Sequence, residues 1–439
     1  MALKRYQSLC RKLRTNPERS RSYSEIINTW LEKGYARKMT DSEVHTQSPI
    51  TWYLPHHDVY TSNKTRVVQD CAARYAGTSL NDKLLTGLDL LNSLTAVLLN
   101  FRRGSIGLSA DIESMFHRVL CLKTDRDCLR FLWSDDLLIE QPDMFQMCVH
   151  PFGAKSSPTC ANYALRCTAT DNTDKFSSLA VETSLRNFYM DDLCTSQPSV
   201  DLAISLSHEL VDLLSIGGFR LTKWVSNSRD VLSSLPASEV VIKNFDLYMD
   251  AMPSQQVLGF IWDTNEDAIT FRTLQSNPPA TKRCIIRTIA TIFDPCGLCG
   301  PFILAAKQLM QILWKRALAW DDDLPEDLLS MWQSWLADLP NIAGIRVSRC
   351  YSPDLWEAPT VEVHIFCDGS EISFGSVAYL RIVSANGTIS VAFLLSKTRI
   401  APVKKLTMPR LELQAAVLAA RIYLKLKEEL HFDVTKAVF

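Results

Sequence analysis

Two aspartates, Asp191 and Asp192, stand side by side inside the run NFYMDDLCTS, residues 187–196. Phe188, Tyr189 and Met190 precede them; Leu193 and Cys194 follow. The pattern reads as a hairpin over 185–196 with its turn near Met190–Asp191. Two carboxylates in contact repel, and burying an unpaired charge is expensive. Such a pair is tolerable if divalent cations sit against it. Mg²⁺ takes oxygen ligands and commonly uses one or two carboxylates plus substrate phosphates. Two such ions about 3.5–4 Å apart clamp the attacking and leaving oxygens of an in-line phosphoryl displacement. A third carboxylate from elsewhere should complete the set. Asp111, in GLSADIESMF, is the best candidate. It ends an apolar strand, where an aspartate has no packing value, and lies 80 residues upstream of Asp191. That interval leaves room for the helix and loop of a split βαβ unit. Each aspartate alone reads as a turn or cap residue; the three together favour metal binding.

The rest of the composition bounds the setting. The 439 residues suffice for roughly two to four domains. A chain 47% hydrophobic and 22% charged is ordinary for a soluble globular protein. The longest apolar stretch, Ile285 to Trp314, is broken by Arg287, Asp294, Pro295, Pro301 and Lys307, which excludes a membrane span. The basic N-terminus has no apolar core of a secretory signal. Thirteen cysteines, an odd number without a framework, point to reduced thiols in a cytosolic chain. Cys296 and Cys299, in FDPCGLCGP, are the only close pair. No second pair completes a zinc site, so they read as small apolar residues where a helix begins. Net charge is −1, yet residues 1–21 hold seven basic residues against one acid. That run is either a solvated helix face or a phosphate-backbone contact. The acidic run Asp321–Asp327 reads as the cap of the helix that follows.

Periodicity sets out the elements. Residues 1–45 read as helical, and TWYLPHHDVY with KTRVVQD as a strand pair. His56 and His57 are adjacent on a strand and point to opposite faces, so they read as structural rather than as joint metal ligands. LLTGLDLLNSLTAVLLNFRRG reads as an amphipathic helix ending at Gly104, and SIGLSADIESMF as a strand running into a helical turn. Helices are expected over 159–170 and 201–216, the latter stopping at Gly217–Gly218. VLGFIWD and AITFRTL should pair around Asn265–Asp267, and residues 278–340 should be mostly helical. VEVHIFCD, SVAYLRI and SVAFLLS read as three strands before a helix from Pro409 to about Leu430.

Four ordered motifs carry a resemblance. YMDD at 189–192 is similar to the signature of reverse transcriptases, and ADIESMF at 110–116 resembles their first metal-binding motif. PFGAKSSP at 151–158 resembles the segment under the templating base pair, and RVVQD at 66–70 their fingers motif. A lone YxDD is weak, whereas four motifs in order are strong. YLPHH, KTRVV, LTKWVSN, VLGFIWD, IFDPCGLCGPF and TMPRLELQAAVLAARI together look like a polyprotein of BEL/Pao-class LTR retrotransposons. Asp58, Gln69 and Cys71 depart from that pattern without touching the metal-ligand positions.

The resemblance implies an α+β fold: right-hand polymerase fingers and palm with a helical thumb/connection, followed by a truncated α/β ribonuclease H-like domain. The segments would be 1–48 (N-terminal helical), 49–235 (fingers and palm), 236–275 (β-rich palm and primer grip), 276–355 (thumb/connection) and 356–439 (ribonuclease H-like). It implies an RNA-directed DNA polymerase using two Mg²⁺, with Mn²⁺ as a substitute, on a primed RNA or DNA template with dNTPs. Asp111, Asp191 and Asp192 would hold the metals, Asp192 with less direct coordination. Lys64 and Arg66 would contact the triphosphate, and Phe116 would be the steric gate against a 2′-OH. Gly153 lets the backbone approach the base pair; Phe152 and Lys155 flank it, and Tyr189 and Met190 complete the nucleotide-binding set. Lys223 resembles a lysine that protonates pyrophosphate, or is a surface lysine beside Trp224.

The C-terminal part resembles a second enzyme. Asp368 in FCDGS and Glu412 in PRLELQAAVLAA match two acids of retroelement ribonuclease H. The sequence given stops at TKAVF439, on the strand that would carry the third, so cleavage is not expected. Leu411, Ala415, Leu418, Ile422 and Leu426 read as the core face of the last helix, and with the sheet cut short a hydrophobic face of the Leu411–Leu426 helix is expected to be exposed. No Asp-Thr-Gly or Asp-Ser-Gly of an aspartic protease occurs in the 439 residues. The resemblance places the protein in the cytoplasm or a virus-like particle, with nuclear entry open, no membrane partner and no assigned oligomeric state. The competing reading is a degraded or domesticated retroelement fragment that binds nucleic acid or a protein partner without catalysis.

Overall fold

A computed structural model describes all residues except 47, 62–63, 138–140, 242–253, 258–259 and 272–277. The chain divides into two units. One comprises residues 1–91, 112–176 and 212–220; the other comprises 92–111, 177–211 and 221–439.

The first unit begins with helices Ala2–Arg14 and Pro17–Glu32. Asn16 caps the second by accepting from the Arg19 amide, and Pro17 sits where no donor is needed. Tyr6, Leu9, Leu13, Tyr23, Ile27 and Trp30 are buried at helical spacing. The expectation of helix through residue 45 fails at Ala36–Lys38, a strand paired with Asp143–Met147. Gly34, at φ 70°, ends the preceding helix and lets the chain turn into that strand. Asp143–Met147 pairs also with Arg130–Trp133.

His56–Thr61 and Lys64–Gln69 form the expected antiparallel pair. His56 is buried and His57 exposed, as alternation requires. Three basic residues of the N-terminal run are engaged inside the unit. Arg19 pairs with Asp58, Arg5 with Asp70, and Arg14 donates to the Leu137 carbonyl.

Among the described residues the second unit carries three sheets. In the first, the order is Phe188–Tyr189, Asp192–Gln197, Ile106–Ile112, Leu221–Ser226. The helix expected over 84–104 is only Leu94–Phe101, capped by Ser93. Gly87 at φ 83° already breaks the helical path upstream. Seven of its eight residues are buried and Leu94 partly so, which makes it an interior helix rather than an amphipathic one. Its Val97 and Phe101 pack with Cys194, Val225 and Trp262.

The second sheet orders Ser254–Val257, Phe260–Asp263, Ala268–Thr270 and Val347–Ser348. The pairing around Asn265–Asp267 is as read, although 258–259 and 272–274 of the two segments lie outside the described residues. Helices Lys282–Thr291, Gly300–Lys315 and Glu326–Asp338 follow. Glu326 and Asp327 fill the first turn of the last, while Asp321 pairs with Arg283. Cys296 and Cys299 are buried, and burial pushes both thiols up to about 12. Asp294 accepts the amides of Leu298 and Cys299 at 2.8 and 2.7 Å, so the loop is a packed helix start.

The third sheet orders Ile389–Ile400, Ser373–Val383, Thr360–Gly369 and Lys436–Val438, the last parallel to its neighbour. Helix Met408–Glu429 lies on it. The core face of this helix is covered, while a second apolar face is exposed. Leu411, Ala415, Leu418, Ile422 and Leu426 are at most 5% exposed, because the strands present suffice to cover them. The large exposed apolar residues of this helix are Met408, Leu413, Val417 and Leu424. Among the described residues no helix is long and apolar enough to cross a membrane.

Candidate active site

The hairpin forms where the sequence puts it. Tyr189 pairs with Asp192 and Phe188 with Leu193, leaving Met190 and Asp191 as a two-residue turn. Met190 takes φ 57°, the backbone of a primed hairpin turn that glycine usually supplies. Leu193 and Cys194 are fully buried beneath it. Asn187 ties the base by donating to the Cys194 carbonyl at 3.2 Å, and Asn92 donates to the Phe188 carbonyl at 2.8 Å.

The neighbouring strand supplies the third acid. Asp111 stands directly opposite Asp192 in antiparallel register. Cross-strand partners share a face of the sheet, and like charges opposite each other repel. The effect is visible on Asp192, whose carboxyl is pushed up to about 6 by burial, then by Asp191, then by Asp111. Lys223 opposes that rise. Lys223 lies on Leu221–Ser226, the strand next to Ile106–Ile112 in the same sheet, and its Nζ stands 2.6 Å from Asp111 Oδ2. Lys223 is therefore engaged with the acidic cluster.

Among the described residues no three His, Cys, Asp or Glu side chains are gathered closely enough, as they stand, to hold a metal ion. The donor chemistry still fits a hard divalent cation. Three carboxylates lie at one end of one sheet, in a register that sets Asp111 opposite Asp192 with Asp191 in the adjoining turn.

Arg349, which no sequence pattern singled out, positions the strand that carries Asp111. Its side chain is fully buried. Nη1 donates to the carbonyls of Phe101 and Gly104 at 2.7 and 2.9 Å, and Nη2 to Ser105 at 2.8 Å. Asp267 receives Nε and Nη2 at 2.6 and 2.8 Å. The fork thus fixes the backbone just before Ile106–Ile112. An arginine in an irregular segment gives no periodic signal.

The Lys64 side chain lies outside what the structure describes; the other remaining candidates lie in the first unit, several of them together. Phe116 packs on Phe152 with ring centroids 4.8 Å apart. The Gln69 amide donates to the Phe152 carbonyl at 3.1 Å. Gly153 takes φ 112°, and a Cβ there would stand 1.9 Å from the Gln69 carbonyl oxygen, so only glycine fits. Asn81, also missed in the sequence, holds this loop by donating to the Gly153 carbonyl and accepting the Lys155 amide, both at 3.0 Å. Arg66 is exposed on strand Lys64–Gln69. Glu113, two residues past Asp111, gathers Lys33, Arg118 and Arg220.

Asp368 and Glu412 are both exposed. Asp368 nearly ends its strand, and a Cβ on the next residue, Gly369, would stand 3.0 Å from the Glu412 amide nitrogen. The strand end therefore abuts the first turn of helix Met408–Glu429, and the two acids arrive at one end of the third sheet.

Residues 281–439 match the family model described as the Pao retrotransposon-like RNaseH-like domain. No curated protein matches the chain. Three solved structures of the foamy viral protease-reverse transcriptase share its fold at 14% identity. The dRH form in complex with double-stranded DNA has a TM-score of 0.54, covering 95% of this chain and 62% of that one. The complex with an RNA/DNA hybrid has 0.54, covering 94% and 47%. A further complex with double-stranded DNA has 0.53, covering 95% and 74%. The chain thus spans 62% of the length of the first of these. The fold is that of a retroviral-type reverse transcriptase joined to a ribonuclease H-like region.

Proposed function

Taking residues 281–439 as a Pao-class retrotransposon ribonuclease H-like region within a reverse-transcriptase fold, we propose that this chain is an RNA-directed DNA polymerase. It adds deoxynucleotides to a primer 3′-OH on an RNA or DNA template. The observation that carries this reading is the register of Asp111 opposite Asp192, with Asp191 in the adjoining turn.

These three carboxylates would hold two Mg²⁺, which when bound supply charge stabilisation to the attacking and leaving oxygens. The chain's own residues do the rest. Lys64 and Arg66 bind the triphosphate and offset charge that grows in the transition state. Phe116, backed by Phe152, presents a flat ring that excludes a ribose 2′-OH by clash. Gly153 and Lys155 carry the backbone that meets the base pair, and Tyr189 and Met190 set the turn beside the metal ligands. Lys223 sits against Asp111 and is within the acidic cluster rather than free to act only at the surface.

The competing reading, a fragment that binds nucleic acid without catalysis, draws on the absence of a closed three-ligand group among the described residues. Primer extension separates the two. The wild type, given a primed RNA template, dNTPs and Mg²⁺, is expected to lengthen the primer and to stop when the metal is chelated. Phe116→Val is expected to accept ribonucleotides while still extending with dNTPs. Binding of the primed template without any extension would favour the non-catalytic reading, and an unchanged sugar preference in Phe116→Val would remove the gate assignment.

A further inference from the structure

Lys223 is unusual in its backbone as well as its partner. It lies in strand Leu221–Ser226 yet takes φ 56°, a left-handed conformation that L residues avoid and that recurs at functional sites. The strand's alternation breaks at this point, since Trp224 and Val225 are both buried. An irregularity of this kind re-aims a side chain. Here it accompanies an ammonium set 2.6 Å from Asp111 Oδ2. Thr222 fixes the same place by donating its hydroxyl to the Asp111 carbonyl at 3.3 Å. The ion pair is open to solvent, with side chains 55% and 24% exposed. An exposed pair of this sort exchanges readily, unlike a buried one.

We propose that the Lys223 ammonium is a placeholder cation, which occupies Asp111 in the metal-free protein and competes with a divalent ion for that carboxylate. The inference rests on the reading of Asp111 as a metal ligand. Three neighbouring carboxylates without a cation repel one another, and one ammonium offsets part of that charge. A divalent ion binding Asp111 must take the oxygen that Lys223 holds. Lys223 is thus a positioning residue. It keeps the cluster assembled before metal arrives and weakens metal affinity by the strength of its own contact.

The test is Mn²⁺ binding to the full chain, followed by the paramagnetic resonance signal of free Mn²⁺ at low ionic strength, where such pairs are least screened. All proteins carry Asp368→Asn, so that the C-terminal acidic pair does not contribute. Lys223→Met is expected to bind Mn²⁺ about two- to fivefold more tightly than the parent, and Lys223→Arg, which keeps the charge, to return close to it. Adding Asp111→Asn should erase the difference between Lys223→Met and the parent. Lys223→Gly suits the left-handed backbone and serves where the methionine variant does not fold. Equal or weaker binding in the folded methionine or glycine variant overturns the placeholder role while leaving the metal site standing. No Mn²⁺ binding by parent or variants overturns both.

Discussion

His56 is held neutral by its surroundings. Burial pushes its pKa down to about 4. Nε2 lies 2.8 Å from the Leu132 carbonyl, so it carries the proton and Nδ1 accepts from the Tyr23 hydroxyl. His117 is likewise pushed down to about 4, by burial and then by Arg118 and Lys33. In the unfolded chain both titrate near 6.5. Between those values the unfolded state binds more protons, so the stability is fully present above about pH 6.5 and is lost as pH falls through about 4. Complete loss for one such histidine is roughly 3 kcal/mol. Urea midpoints are expected to drop between pH 7 and pH 4.5, and His56→Asn to reduce that drop while lowering stability at pH 7. A drop of the same size in wild type and variant would contradict the assignment. The structural role of His56 was legible from a period of two. Its partners were not, because Tyr23 and Leu132 are 33 and 76 residues away.

Elements built on local chemistry were read well, and those set by distant packing less so. The hairpin at Asp191–Asp192 follows from its alternation and turn. Helix 200–216 follows from its leucine spacing and the two glycines after it. The segment before Leu94 has the same leucine richness but contains Gly87 in a left-handed conformation, and helical spacing alone could not reveal that. The strand at Ala36–Lys38 was hidden because three residues show no period, and its partner lies beyond residue 140. The sheet bearing the carboxylates was half legible. Asp111 could be placed at a strand end, but the clamp that fixes that strand could not be seen. Arg349→Met removes a buried guanidinium from three carbonyls and leaves Asp267 without that partner. It is expected to destabilise the protein by about 3–5 kcal/mol, read as a lower urea midpoint. A loss under about 1 kcal/mol, the scale of an exposed pair, would show that the fork is not holding the strand.

At the scale of the whole chain, fold class was legible because four motifs recur in a fixed order, each tied to an element that the structure contains. What composition could not reveal is that Ile106–Ile112 pairs with Asp192–Gln197, a connection set by topology. The C-terminal sheet has its own test. Asp368 and Glu412, the two acids that the sequence singles out there, arrive at one end of the sheet. Two carboxylates hold two metals poorly against their preference for water. This 439-residue chain is expected to leave the RNA strand of an RNA–DNA hybrid intact; cleavage abolished by Asp368→Asn would contradict that. The central claim, that the carboxylates at Asp111, Asp191 and Asp192 perform nucleotidyl transfer, has a more direct measurement. Single-nucleotide incorporation on a primed RNA template with Mg²⁺ is compared between wild type and Asp191→Asn, with matched circular dichroism showing both folded. The expected result is incorporation by the wild type and a loss of about a hundred- to a thousandfold in the variant, the scale on which a charge-stabilising group is felt. Equal rates in the two proteins, or no incorporation by the folded wild type, would contradict it.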